Sequence, residues 1–252
     1  MEWFVEKNSI VRKIWGKGDT ILFIFGGAAA EFALNKAVDW LYFTGKLPAD
    51  PLARLFSTVS YSRKIVFSSK EDAYKTIDAI TSIHSSIEKN RQSKIPDWAY
   101  RDVLFMLIHY SIASFEVLER KLTLAEKEEV FDTFNKLGIR MHLKDLPANY
   151  SEWLIAREQH LQNDIAVSKY TKDLFKQYKK HLGAIRYKIL LEGQILVAPP
   201  QVNALLKLGK FSLLTPLLSI YKLARALKLD WIIKAIILPQ KYRKEIKELD
   251  VN

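Results

Sequence analysis

The sequence predicts an all-α fold, a single-domain helical bundle, and three observations carry that expectation. Apolar residues recur at spacings of three and four, the periodicity of a helix with one buried face. Glycine and proline are sparse, 9 and 8 in 252 residues, and most of them fall between those stretches. Runs alternating apolar and polar residues, the mark of a half-buried strand, are few. Apolar content of 49% with 12% aromatics suits a folded core, and a chain of this length needs no second domain to build one.

In order, residues 3–15 read as a short opening helix that Gly16-Lys17-Gly18 ends. Asp19 and Thr20 can cap a long buried helix running to about Phe43. Its Ile21–Leu34 stretch is the longest apolar run, too short at fourteen residues to cross a bilayer and interrupted by Glu31. Within it, Gly26-Gly27-Ala28-Ala29-Ala30 lets either another helix or a flat ligand approach the backbone closely. Asp50 at the cap with Pro51 at the first helical position opens a helix over 51–67, with Leu52, Leu55, Phe56 and Val59 on its apolar side. Arg54, Ser57, Thr58 and Tyr61 form an adjoining polar strip.

Ser68-Ser69-Lys70-Glu71 starts the next helix, over Lys70–Asn90. Asp97 can cap a strongly apolar helix to about Arg120 that carries His109, and Thr123-Leu124-Ala125-Glu126 is a capping box for a helix stopping at Leu137-Gly138. Helices at about 150–163 and 168–182 follow, the second ending at Gly183, and residues 184–197 continue as a helix. Pro199-Pro200 and Pro239 punctuate a basic tail. The total expected is nine to eleven helices and no sheet.

Composition excludes much chemistry. With no cysteine, disulfides, thiolate-ligated haem, iron–sulfur clusters and cysteine-based zinc sites are ruled out. Gly16-Lys17-Gly18 lacks the third glycine and preceding strand of a dinucleotide fingerprint, and no Walker A loop, His-Glu-x-x-His or Gly-x-Ser-x-Gly occurs. No glutamate precedes a histidine by three residues, which disfavours a ferritin-like di-iron bundle. The net charge of +11 resides in the last third, where residues 169–252 hold 17 basic and 6 acidic side chains. Apolar stretches Leu213–Ile220 and Trp231–Leu238 interleave with those lysines. The mixture suits a membrane surface better than nucleic acid, with a plain solvated face as the alternative. A cytoplasmic or peripheral-membrane location follows as the expectation, and no signal peptide is expected.

His84 is the residue out of place. Ala73, Ile77, Ile80, His84 and Ile87 share one helical stripe, so the imidazole points inward. A buried imidazole needs a partner for each ring nitrogen: carbonyls or hydroxyls in a core role, or a metal or haem iron in a functional one. His142, His160 and His181 sit in polar sequence surroundings and read as solvated.

The run Asp50-Pro51-Leu52-Ala53-Arg54-Leu55-Phe56-Ser57-Thr58, followed twenty-six residues later by His84, resembles the latex-clearing (rubber oxygenase) and MpaB-type oxygenase family. The likeness extends over roughly residues 10–248, through the His109 helix, Leu122–Glu126, Asp145-Leu146-Pro147 with Tyr150 and Trp153, Ala198-Pro199-Pro200, and Leu238-Pro239 before Arg243. This resemblance implies a globin-like helical core holding one haem b, with dioxygen used to cleave C=C bonds of isoprenoid chains. His84 then matches the proximal haem (metal) ligand, and Arg54 and Thr58 match the paired catalytic and cofactor-binding polar residues. Ser57 departs from the pattern, standing where the latex-clearing enzyme has a distal lysine, which implies an open or water-filled distal site. His109 is either a distal histidine or a packed core histidine. Glu31, Asp39 and Tyr61 are candidates beside the haem, with capping, ion pairing or exposure as alternatives for the two acids.

The leading expectation is a haem-dependent oxygenase on a long apolar substrate, whose pocket the apolar stretches 21–41 and 103–118 would wall. A non-catalytic haem- or lipid-binding protein is the second reading, motivated by Ser57. The third is a cofactor-free peripheral membrane or interaction protein that uses the basic amphipathic region 205–247.

Overall fold

The computed structural model describes residues 2–45 and 49–227. It is 75% helical, and among the described residues there are eleven helices and no strand. They are α1 (Ile10–Trp15), α2 (Gly18–Phe32), α3 (Asp39–Phe43), α4 (Pro51–Phe67), α5 (Lys70–Arg91) and α6 (Asp97–Leu118). Then come α7 (Leu124–Arg140), α8 (Tyr150–Asn163), α9 (Lys169–Val197), α10 (Pro200–Leu206) and α11 (Thr215–Ala226).

Local chemistry sets several of these boundaries. Asp50 accepts the Ala53 N–H at 3.0 Å with Pro51 at the first position of α4. Thr123 and Glu126 exchange both bonds of a capping box at the start of α7. Gly183, at φ 74° and ψ 170°, breaks α9 internally, a backbone conformation open to glycine and strained for other residues.

Three boundaries differ from expectation. Residues 3–9 are not helical: Ser9 caps α1, while Phe4 N–H and Lys70 N–H bond across to Ser68 O and Glu2 O. The expected helix to Phe43 ends at Phe32, because Asn35 turns its side chain onto Ala37 N–H and the chain there bonds to Asp164 and Ala166. α7 runs on past Gly138 to Arg140. Trp231–Leu238, Pro239 and the part of the basic region beyond Leu227 lie outside the described residues.

The core gathers around α2, which packs against α6 and α9, with α1 laid across α2 and α7. Trp15, Ile14, Ile21 and Ile24 are fully buried, each contributing roughly 1.5–3 kcal/mol of apolar burial. Trp15 also donates its ring N–H to Ser111 Oγ at 3.1 Å. A smaller apolar cluster joins α2 to α8 and α10 through Ala30, Leu34, Leu161, Ile165 and Val202. Between the two clusters the chain places charge.

Candidate functional site

α4 packs along α5, and Arg54 from the polar strip of α4 acts electrostatically on His84. The α5 stripe is closed at Ala73 and Ile77 and only half-buried at Ile80, His84 and Ile87, so the packed face opens where the imidazole sits. His84 Nδ1 is buried and has no hydrogen-bond partner. Burial first, then the charge of Arg54, lowers the His84 pKa below the ordinary histidine value, with Glu88 opposing. The ring is therefore held neutral with a lone pair available, as a metal ligand requires.

Arg54 Nη1 donates to Thr58 Oγ1 at 2.8 Å and to Ser57 Oγ at 3.4 Å, and Thr58 Oγ1 donates back to the Arg54 carbonyl at 3.2 Å. Burial lowers the guanidinium pKa, with the Tyr61 hydroxyl opposing it. Arg54 is thus bonded to Thr58 and near enough to act on the charge of His84, with Tyr61 acting in turn on Arg54, while Ser57 is exposed.

Two neighbours were not singled out from the sequence. Tyr100 sets its ring edge-on to His84 with centroids 5.1 Å apart, and its hydroxyl donates to Glu88 at 3.1 Å. Glu88 follows His84 by four residues, a same-face spacing that could have marked it. The signal for Tyr100 was absent, since α6 brings it in from another helix.

Other candidates have structural partners. His109 Nε2 donates to Val197 O at 3.2 Å, and burial depresses its pKa to about 4, which is the packed-core reading. Asp39 pairs with Arg91 at 2.6 Å. A side chain at Gly27 would lie 2.3 Å from the Tyr110 ring, so α2 and α6 touch directly there and the small residues serve helix approach. Glu31 is ion-paired in the core: both terminal nitrogens of Arg157 donate to it, as does Tyr110 OH at 2.9 Å, and His160 Nε2 lies 3.1 Å away. Its carboxyl is held well below the usual range by Arg157 and His160 despite burial.

His160 corrects the sequence expectation. It is 3% exposed rather than solvated. Its Nδ1 lies 2.7 Å from Asp102 Oδ1, and Asp102 and Glu31 raise its pKa to about 9 against the cost of burial. Those two carboxylates arrive from distant segments, so the polar neighbours in sequence were no guide. A cleft of about 310 Å³ opens near this network, lined by Asn35, Lys36, Ser168 and Tyr170 among others, and His84 does not line it.

The described residues thus form a helical bundle that sets an inward-facing imidazole, its pKa lowered, beside a half-buried guanidinium. The family model described as ER-bound oxygenase mpaB/B′/Rubber oxygenase, catalytic domain, matches residues 13–231. The chain belongs to that family. Neither a curated relative nor a solved structure matches it. Membership points to an oxygenase, and hence to dioxygen, an organic substrate and a metal or haem cofactor. Among the described residues no helix is long and apolar enough to cross a membrane.

Proposed function

We propose that residues 1–252 form one catalytic domain, with a globin-like core, that uses haem b and dioxygen on a long apolar substrate, isoprenoid or lipid-like. The observation that carries this reading is the orphaned, buried Nδ1 of His84 on a ring kept neutral by burial and by Arg54. Haem, when bound, supplies an iron that activates dioxygen, the chemistry needed for oxidative C=C cleavage.

The chain's own residues do the rest. His84 would hold the iron. Arg54 offers a partly desolvated guanidinium to an anionic group such as a propionate, and Thr58 fixes its orientation through the 2.8 Å bond. Tyr100, tethered by Glu88, flanks the imidazole and limits its rotation. Exposed Ser57 brings no cation to the distal side.

The test is an absorption spectrum of protein purified with added haemin. A Soret band that His84→Ala abolishes is expected; full haem binding by that variant overturns the assignment. Incubation with dioxygen, a reductant and polyisoprenoids or unsaturated fatty acids then separates turnover, read as a carbonyl product, from non-catalytic binding.

A peripheral membrane surface fits a lipid-like substrate. On α11, Tyr221 and Arg225 face inward and bond Asp19 at 3.0 and 2.9 Å, while Leu217, Ile220 and Leu223 are at least half-exposed. Lys222 is carried by the same helix, and Lys207 and Lys210 precede it in the chain. Co-sedimentation with anionic liposomes is expected, and it should fall sharply in Leu217→Glu/Ile220→Glu; unchanged binding refutes this surface.

A further inference from the structure

We propose that the loop of residues 209–214 is the element that enters an anionic phospholipid bilayer, with Phe211 at its tip; this rests on the membrane reading of α11 above. Phe211 is 89% exposed, the most exposed large apolar side chain among the described residues, and Leu213 is 67% exposed. Scattered apolar side chains are ordinary on a protein surface, whereas a contiguous set marks a contact. Leu213, Leu217 and Ile220 follow one another at spacings of four and three, so the loop runs on into the α11 face.

The loop is fastened at both ends and from below. Leu208 N–H donates to Asn203 O at 3.0 Å, closing α10, and Thr215 N–H donates to Ser212 O at 3.1 Å, opening α11. Beneath lies Glu192 of α9, 5% exposed. Ser212 Oγ donates to the Glu192 carbonyl at 2.9 Å, and Leu213 N–H donates to the carboxylate Oε2 at 2.6 Å. The polar groups of the loop are thus spent inward, while Phe211 and Leu213 face water at a fixed place.

Cations surround the tip. The second carboxylate oxygen of Glu192, Oε1, pairs with Lys188 Nζ at 2.9 Å, so an ammonium shares one buried group with Leu213. Lys207 and Lys210 are exposed just before Phe211. Ile185, 77% exposed, stands three residues before Lys188 on the same face of α9. Between Glu192 and Asp230 the sequence has no acidic residue. Apolar side chains that enter the acyl region while neighbouring ammonium groups meet lipid phosphates are the pattern of an interfacial anchor. A ring this exposed offers a protein partner little surface beside it, whereas a fluid bilayer closes around it.

The chain contains no cysteine, so a single introduced cysteine carries a single probe. Phe211→Cys and a control, Ile139→Cys at a 59% exposed position on α7, are labelled in the full chain with a nitrobenzoxadiazole dye. Each is mixed with phosphatidylcholine vesicles with and without phosphatidylserine. With phosphatidylserine present, emission at 211 should rise, shift to the blue and be quenched by doxyl-labelled acyl chains; at 139 it should do none of these. Unlabelled Phe211→Ser should weaken co-sedimentation by about tenfold, the loss of one buried phenyl ring, and Phe211→Trp should retain it. A probe at 211 that stays water-like in co-sedimenting protein overturns the insertion and leaves the α11 surface standing, as does unchanged binding of Phe211→Ser. Absence of any co-sedimentation of the native chain overturns both. A blue shift that grows with protein concentration without vesicles marks contact between copies and overturns the bilayer as the partner.

Discussion

Glu31→Gln tests the charged centre of the core. Glu31 is fully buried and receives both terminal nitrogens of Arg157 together with Tyr110 OH. Glutamine keeps the volume but removes the charge, leaving the Arg157 guanidinium, 4% exposed, without its counter-ion. Removing one partner of a buried pair costs about 3–5 kcal/mol, a large share of the roughly 5–15 kcal/mol that holds a domain folded. In urea unfolding followed by circular dichroism, the midpoint should fall by about 1 M or more. Arg157→Met alone should also destabilise, and the double variant should cost less than the sum by about 1–3 kcal/mol. A loss below about 1 kcal/mol for Glu31→Gln, or simple additivity, would falsify the assignment of this pair as a structural keystone.

Adjacent glycines on α2 should respond oppositely. Gly27→Ala drives its methyl into the Tyr110 ring and should cost about 1–3 kcal/mol. Gly26→Ala meets only Leu190, at 3.5 Å, and should be neutral or gain up to about 1 kcal/mol of helix propensity; thermal melts read both. Gly183→Ala has open space but a positive φ, so a loss of about 1–2 kcal/mol is expected, and an unchanged melting point would argue against the break in α9. His109 is neutral in the fold down to about 4 but titrates near 6.5 when unfolded. The unfolded chain therefore binds the extra proton first, and stability should drop by on the order of 2–3 kcal/mol as pH falls from about 6.5 to 4. His109→Phe should flatten that window in urea titrations at stepped pH; an identical slope would exclude His109 as its source.

Local signals were readable in the chain where local chemistry decides. Asp50-Pro51, the Thr123/Glu126 box and Gly183 each act within four residues, and each lies where the sequence indicates. The Arg54–Thr58 pair sits one turn apart on a single helix and was equally accessible. The break after Phe32 was not, because Asn35 works with Ile165 and Asp164, far along the chain. His160 was misread for the same reason. Its carboxylate partners Glu31 and Asp102 stand on other helices, and polar flanks say nothing about which face turns inward.

The ion pair at Glu31 also bears on how the chain is made. Its guanidinium partner lies 126 residues downstream, so the apolar Ile21–Leu34 segment leaves the ribosome long before its carboxylate can be neutralised. Until α8 emerges, that segment is both greasy and charged, too polar to bury and too oily to leave in water. The buried, ion-paired form of α2 is therefore complete only once α8 has been made.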